Sequence, residues 1–135
     1  MSKITKGIVL SAEAVSEYLT KLNAVKTPAL SPISGSFPQV ERWSIQQKNS
    51  STGENSEYLS ASYKFKSFKK AWKFLNYVAD SAHTLRHHPT IITTYNKVDL
   101  EITTHDVGNK LTIKDFELAE SVNTAFNKAQ EPEKP

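Results

Sequence analysis

The spacing of apolar residues along the chain predicts three helices. The first follows Ser11, whose side chain can cap a helix N-terminus. The second begins after Ser67 and ends before Pro89, because a residue that precedes proline is pushed out of the helical region. The third starts at Thr112 and Asp115, which are placed as a capping pair. The apolar stripe predicted for the second helix comprises Phe68, Ala71, Trp72, Leu75, Val78, Ala79, Ala82 and Leu85.

Alternation of apolar and polar residues predicts the strands. The clearest alternation is at residues 58–65, and a strand from Val40 to about Gln47 precedes it. The polar segment 48–56 is expected to be the loop between these two strands. Residues 91–105 contain one or two further strands, with His105 at the end on the non-core face. Positions that share the inward faces are Trp43, Ile45, Leu59, Ala61, Tyr63, Phe65, Val98, Leu100 and Ile102.

This order of elements predicts an α+β fold, in which helices pack on one face of an antiparallel sheet. We divide the chain into an N-terminal helix with a Pro-rich linker (1–39), a main domain (40–128) and a disordered tail (129–135). The linker is predicted from the prolines and glycine between residues 26 and 38, which forbid a continued helix.

Composition narrows the class of protein. A chain of 135 residues with 38% apolar residues can bury one core. It has no cysteine, which excludes disulfides, thiolate zinc sites and cysteine nucleophiles. No apolar run approaches the ~18 residues that cross a bilayer, and the net charge of +3 is too thinly spread for a nucleic-acid surface. We therefore expect a cytoplasmic protein without membrane or direct nucleic-acid partners, with nuclear and mitochondrial locations left open.

All four histidines lie in one window of the sequence: His83, the pair His87-His88 before Pro89, and His105. Histidine gives and takes protons near neutral pH and also binds metals. The cluster is therefore a proton-transfer site, a metal site or a chance grouping. His83 and His87 are four residues apart, which places them on one helix face, and His105 could complete a three-histidine metal site.

Short motifs surround these histidines in a fixed order. His87-His88-Pro89 is followed by Tyr95-Asn96-Lys97-Val98, by Thr104-His105-Asp106, and by Leu111-Thr112 with Asp115 and Leu118-Ala119. Upstream lie Trp43, Phe65-Lys66-Ser67-Phe68 and Ala71-Trp72-x-Phe74. Together, over about residues 40–126, they resemble the pterin-4a-carbinolamine dehydratase family. His-His-Pro alone is a weak signal. His-His-Pro, Tyr-Asn-Lys-Val and Thr-His-Asp together, in this order and spacing, are a strong one.

The resemblance implies a fold, an activity and a site. The fold is a four-stranded antiparallel sheet backed by helices, assembled into homodimers or homotetramers through the sheet. The activity is that of a hydro-lyase, which dehydrates 4a-hydroxytetrahydrobiopterin to quinonoid dihydropterin in tetrahydrobiopterin recycling, without a metal or other cofactor. By the family pattern, His87, His88 and His105 are catalytic, and Asp115 and Trp43 lie at the pterin pocket. We also give His83 a supporting place there.

The chemistry fits these residue types. Loss of the 4a-hydroxyl as water needs a proton donor at that oxygen and an acceptor for a ring N–H proton, and two histidines can supply both. We expect His87 and His105 to be this acid–base pair and His88 to bind or orient the pterin.

Three departures from the family pattern keep two alternatives open. His83 stands where the family usually has Glu, Ile91 and Thr93 replace a common Trp and Asn, and the turn 108–110 (Gly-Asn-Lys) is one residue longer than the usual Gly-Gly. One alternative is the three-histidine metal site. The other is a non-catalytic protein-binding module of the same fold, a dimerisation cofactor or an assembly factor, with the open sheet face and a helix as contact surfaces.

Overall fold

A four-stranded sheet and three helices make up the part of the chain that the structure, a computed structural model, describes: residues 8–24, 38–49 and 55–131. The elements are α1 (Ala12–Ala24), β1 (Gln39–Asn49), β2 (Asn55–Lys64), α2 (Phe68–Leu85), β3 (Thr90–Thr94), β4 (Lys97–Ile102), a 3₁₀ turn (His105–Val107) and α3 (Ile113–Gln130). All strand pairs are antiparallel, in the order β1-β2-β4-β3. The predicted α+β fold is confirmed. Most of the predicted linker lies outside the described residues.

The core lies between the inward face of the sheet and the helices. An aromatic cluster joins β2 to both long helices, because Tyr63 and Phe65 lie against Phe74 of α2 and Phe126 of α3, with ring centroids 4.7 to 6.1 Å apart. The helix α1 belongs to the same core through buried Leu22 and a stack of Tyr18 on Phe116. The residues predicted to face inward on β2, directly after it and on β4 are all buried: Leu59, Ala61, Tyr63, Phe65, Val98, Leu100 and Ile102.

The predicted helix caps are confirmed. The Ser11 hydroxyl oxygen accepts from the Ala14 N–H at 3.1 Å, and the Ser67 hydroxyl oxygen accepts from the Lys70 N–H at 3.2 Å. Each bond satisfies a backbone donor that the first helical turn leaves unpaired.

The hairpin between β1 and β2 is longer than predicted. The segment 48–56 was expected to be a loop, but β1 continues to Asn49 and β2 begins at Asn55, with these two residues paired. Polar residues at the end of an exposed ladder need only backbone pairing, so their side chains give no alternating signal. Residues 50–54 lie outside the described residues.

The N-terminal half of α2 differs from the prediction that Phe68 and Trp72 belong to the core. Phe68 is 55% exposed and Trp72 is 43% exposed, and their rings lie 6.3 Å apart on the surface. Ala79 and Leu85 are exposed as well, while Phe74, which the predicted stripe omitted, is buried. The reason is that helical spacing gives the direction of an apolar stripe, whereas the packed partner decides how wide a stripe is covered.

The last helix also ends later in the chain than predicted. The helix α3 continues through Gln130 and Ala129 is buried, so the tail predicted from residue 129 is wrong for these two residues. Residues 132–135 lie outside the described part. None of the described helices is long and apolar enough to cross a membrane. The cytoplasmic location stays a prediction.

Candidate active site

The C-terminus of α2 carries His87 into a cleft. Arg86 adopts a left-handed conformation (φ 55°, ψ 40°), and its N–H donates to the His83 carbonyl at 3.2 Å. The His87 N–H donates to the Ala82 carbonyl at 3.1 Å. These two bonds form the Schellman arrangement that ends many helices, usually with glycine at the left-handed position. The turn therefore fixes His87 relative to the helix, and Pro89 prevents the helix from continuing.

A buried carboxylate at the start of α3 receives His87. Thr112 and Asp115 form the predicted capping box: the Thr112 hydroxyl oxygen accepts from the Lys114 N–H at 3.2 Å, and Asp115 Oδ2 accepts from the Thr112 N–H at 2.8 Å. Asp115 Oδ1 lies 2.6 Å from His87 Nε2. Asp115 has 0% exposure, and a carboxylate so buried is stable only when its oxygens are bonded.

Two threonines complete this buried network. The Thr104 hydroxyl donates to Asp115 Oδ2 at 2.8 Å and lies 2.8 Å from the Thr112 hydroxyl. The Thr104 N–H donates to the Lys110 carbonyl at 3.2 Å, in an isolated bridge that fixes the chain after β4. The sequence motifs included Thr104 but did not indicate this role, which arises from residues brought together by folding. Asp115 thus both caps α3 and orients the imidazole of His87.

His105 reaches the same cleft from a different element. The strand β4 ends at Ile102, so the prediction that His105 ends a strand is wrong, and His105 instead begins the 3₁₀ turn. The predicted exposure of its side chain is confirmed. Its Nδ1 lies 2.7 Å from Asn109 Oδ1. The chain closes this turn with Gly108 (φ 75°) and Asn109 (φ 61°) in left-handed conformations.

The cleft between the end of α2, the end of β4 and the start of α3 has a volume of about 430 Å³. It brings together His87, His88 and His105, the three residues for which the family resemblance implies a catalytic role. It is strongly polar, and its lining includes three charged side chains to which neither the sequence nor the resemblance gave a role: Arg86, Asp106 and Lys114. Its volume lies within the range of small-molecule sites.

Two predicted site residues lie elsewhere. Trp43 is buried in the core on β1, and its indole N–H donates to Asn123 Oδ1 on α3 at 3.0 Å. His83 is exposed on the last turn of α2. Neither lines the cleft that the described residues form. Periodicity assigned Trp43 to the inward face of its strand, and that interpretation accounts for its position.

The metal alternative lacks a suitable ligand arrangement. Within the described ranges, which include all four histidines, no three histidine or acidic side chains lie close enough together to hold an ion. His87 Nε2 is instead bonded to the Asp115 carboxylate.

The arrangement can transfer protons. Each of two imidazoles has one ring nitrogen bonded to a side-chain oxygen, Nε2 in His87 and Nδ1 in His105. Such a bond orients an imidazole and leaves the other nitrogen to give or take a proton. The fold and the site therefore define an α+β domain with a polar cleft lined by three histidines.

Comparison with known proteins narrows this class to one family. The family model described as pterin 4 alpha carbinolamine dehydratase matches residues 30–125, so the chain belongs to that family, and the resemblance of its motifs is confirmed.

Individual relatives agree. A Saccharolobus solfataricus protein named "Putative pterin-4-alpha-carbinolamine dehydratase" is 44% identical over 66 residues, which cover 49% of this chain and 67% of the relative. A Koribacter versatilis protein of the same name is 40% identical over 70 residues, covering 52% and 73%. The crystal structure of a transcriptional coactivator/pterin dehydratase from Brucella melitensis has a TM-score of 0.58 and 24% identity, covering 87% of this chain and 98% of that one. At this identity the structural likeness shows the fold alone.

Proposed function

We propose that this chain is a hydro-lyase that dehydrates 4a-hydroxytetrahydrobiopterin to quinonoid dihydropterin and water. The observation that carries the proposal is the cleft itself: His87, oriented by the buried carboxylate of Asp115, shares it with His105 in a member of the dehydratase family. The recycling of tetrahydrobiopterin is the role that this activity would serve.

The reaction requires two proton transfers. One imidazolium gives a proton to the 4a-oxygen, the C4a–O bond breaks with its electron pair, and water leaves. The other imidazole takes the proton of a ring N–H, whose electron pair forms the new C=N bond. Charge and atoms balance without an oxidant or a reductant. His87 and His105 are proposed for these two steps, and each general acid or base typically contributes about 10²–10⁴-fold.

His88 is proposed to contact the pterin. It is exposed, lines the cleft beside Pro89, and makes no hydrogen bond to another described side chain, so it is available to a ligand. Asp115 is proposed to act through His87, because its own oxygens are occupied by His87, Thr104 and Thr112.

The test is turnover of 4a-hydroxytetrahydrobiopterin made in situ by an aromatic amino-acid hydroxylase, somewhat above neutral pH. Wild type should accelerate dehydration over the spontaneous rate, and His87→Ala should lose that acceleration. No acceleration by folded wild type would reject the dehydratase proposal.

We further propose that the chain forms homodimers or homotetramers through the sheet. Within the described residues β3 pairs on one side only, with β4, and its sequence Thr-Ile-Ile-Thr-Thr carries no charge or proline to protect the edge. Ile91 and Ile92 are both exposed. An antiparallel contact between two β3 strands would extend the sheet and cover them. Light scattering should give a smaller mass for Ile92→Lys than for wild type, and Thr124→Lys on the exposed face of α3 is the matched control.

A second candidate function is binding of another protein without catalysis. The observation that favours it is the exposed aromatic pair Phe68 and Trp72 on α2, since apolar surface of this kind often marks a contact. Trp72→Gln separates the two functions: a dehydratase keeps its turnover in this variant. If folded wild type shows no turnover, and Trp72→Gln alters its association with a second protein, the binding module replaces the dehydratase.

A further inference from the structure

The turn that follows β4 holds His105 through a side chain to which the family pattern gives no role. Asn109 Oδ1 lies 2.7 Å from His105 Nδ1. We propose that Asn109 is a positioning residue: it fixes the proton of neutral His105 on Nδ1 and so presents an unprotonated Nε2 to the cleft. This inference deepens the proposed function and rests on it for its kinetic consequences.

Asn109 is itself held firmly by the backbone. Its N–H donates to the Thr104 carbonyl at 3.1 Å, and its carbonyl accepts from the Glu57 N–H of β2 at 2.8 Å. Its φ of 61° lies in the left-handed region, which asparagine adopts more readily than most residues. The turn is therefore anchored to two neighbouring chain segments, so the backbone that carries the Asn109 amide is held in place.

The chemistry of the contact decides where the proton lies. An amide oxygen can only accept a hydrogen bond, so a nitrogen bonded to it must carry hydrogen. In neutral His105 the other ring nitrogen, Nε2, is then the acceptor. The described residues give Nε2 no hydrogen-bond partner, and the side chain lines the cleft.

His87 is held in the opposite way. Its Nε2 is bonded to a carboxylate, which leaves Nδ1, whereas His105 is bonded to a neutral amide at Nδ1, which leaves Nε2. The two histidines therefore offer different ring nitrogens and differ in the charge of their partners. The longer turn 108–110 supplies the side chain that makes this difference.

The chain allows a matched pair of variants. Asn109→Gly keeps a residue suited to the left-handed backbone and removes the amide. Asn109→Asp keeps the size and shape of the side chain and replaces the amide by a carboxylate. Both leave the charged lining of the cleft, Arg86, Asp106 and Lys114, in place. Urea denaturation verifies that each variant is folded.

The first readout is the tautomer of His105, measured by ¹⁵N NMR of labelled protein at a pH where the ring is neutral. Wild type should be in the Nδ1–H form, and Asn109→Gly should shift towards a mixture of both tautomers. An Nε2–H form in wild type would overturn the proposal, because the amide would then face His105 with its NH₂ group. An unchanged tautomer in Asn109→Gly would overturn it as well.

The second readout is kinetic. Asn109→Gly should lower kcat by about 10- to 100-fold, the effect seen when a metal-bound histidine loses the partner that orients its other nitrogen, with KM within about twofold. Asn109→Asp should recover kcat at higher pH, with the acid limb of the kcat profile moved up by about one pH unit, because a carboxylate favours the imidazolium. A purely structural turn would not move that limb. Wild-type kcat and pH profile in folded Asn109→Gly would contradict the proposal.

The two readouts separate this inference from the proposed function. If wild type has no dehydratase activity, the NMR measurement still decides whether Asn109 sets the tautomer. If wild type is active and the tautomer does not depend on Asn109, only the positioning role fails.

Discussion

The two histidines proposed for acid–base chemistry are supported by opposite kinds of structure. The His87 side chain is only 12% exposed and is bonded to a fully buried carboxylate that also caps α3. His105 is exposed and is bonded to the amide of Asn109 in a surface turn. At His87, the carboxylate of Asp115 serves both the fold and the site. At His105, the side chain can be changed while the core stays as it is.

This difference shows how one residue type can be prepared for two tasks. A buried carboxylate orients one imidazole, whereas an amide fixes the tautomer of the other without adding charge. The difference also separates effects on stability from effects on activity. Substitutions at His87 or Asp115 should affect both, whereas substitutions at His105 or Asn109 should affect activity alone.

The largest expected effect comes from removing each histidine in turn. His87→Ala and His105→Ala should each lower kcat by about 10²–10⁴-fold, because each removes a general acid or base. Their stabilities should differ: His87→Ala leaves Asp115 Oδ1 without its partner and costs about 1–3 kcal/mol, whereas His105→Ala stays within about 0.5 kcal/mol. Steady-state kinetics and urea denaturation of both variants measure this. A kcat for His105→Ala within about threefold of wild type would make the assignment of this pair wrong.

Asp115→Ala should lower the free energy of unfolding by about 2–4 kcal/mol. The Thr112 N–H and the Thr104 hydroxyl lose a buried acceptor, and α3 loses half of its capping box. Asp106→Ala is the matched control, since this carboxylate lines the same cleft but is exposed, and its effect should be within about 0.5 kcal/mol. Equal urea midpoints for the two variants would contradict the claim that buried Asp115 stabilises the fold and exposed Asp106 does not.

The aromatic cluster of the core offers a pH test. Burial raises the pKa of the Tyr63 phenol above its ordinary value of 10.0. The folded state therefore holds this proton more tightly than the unfolded chain does, and the stability present below pH 10 is lost as the pH rises further, by up to about 1.4 kcal/mol per pH unit. Tyr63→Phe should reduce the fall in urea midpoint between pH 9 and pH 11 without touching either histidine. An unchanged fall would show that alkaline sensitivity arises elsewhere.

The smallest expected effect concerns the turn that positions His87. Arg86→Gly should raise the free energy of unfolding by about 1 kcal/mol, because glycine adopts the left-handed conformation without steric cost. Thr84→Gly, two residues earlier and within α2, should have the opposite sign and lower stability by about 0.5–1 kcal/mol. Thermal denaturation of the pair is the measurement, and two shifts of the same sign would contradict this account of the turn.

Features set by local sequence were predictable. The caps at Ser11, Ser67 and Thr112 and the alternation in β2 depend on residues a few positions apart, so periodicity and capping chemistry suffice. The exposure of residues on α2 could not be predicted in the same way. Whether Phe68 and Trp72 are covered depends on what packs against the helix, and spacing carries no information on that.

Some of the residues at the cleft were predictable, but Trp43 and His83 were placed there wrongly, and the contacts within the cleft were not predictable. The motifs indicated His87, His88, His105 and Asp115, and capping also indicated Asp115. The contacts of Asp115 with Thr104 and His87 join residues 11 and 28 positions apart, and only folding brings the segment after β4 and the end of α2 to the start of α3. The contact between His105 and Asn109 depends on left-handed backbone conformations at Gly108 and Asn109 that no motif specified.

The most direct test of the central claim is a stopped-flow comparison of wild type with the double variant His87→Ala/His105→Ala, following decay of 4a-hydroxytetrahydrobiopterin. The account predicts that wild type accelerates dehydration and that the folded double variant returns it to about the spontaneous rate. A folded double variant that keeps the wild-type acceleration would contradict the claim that these two histidines carry the reaction.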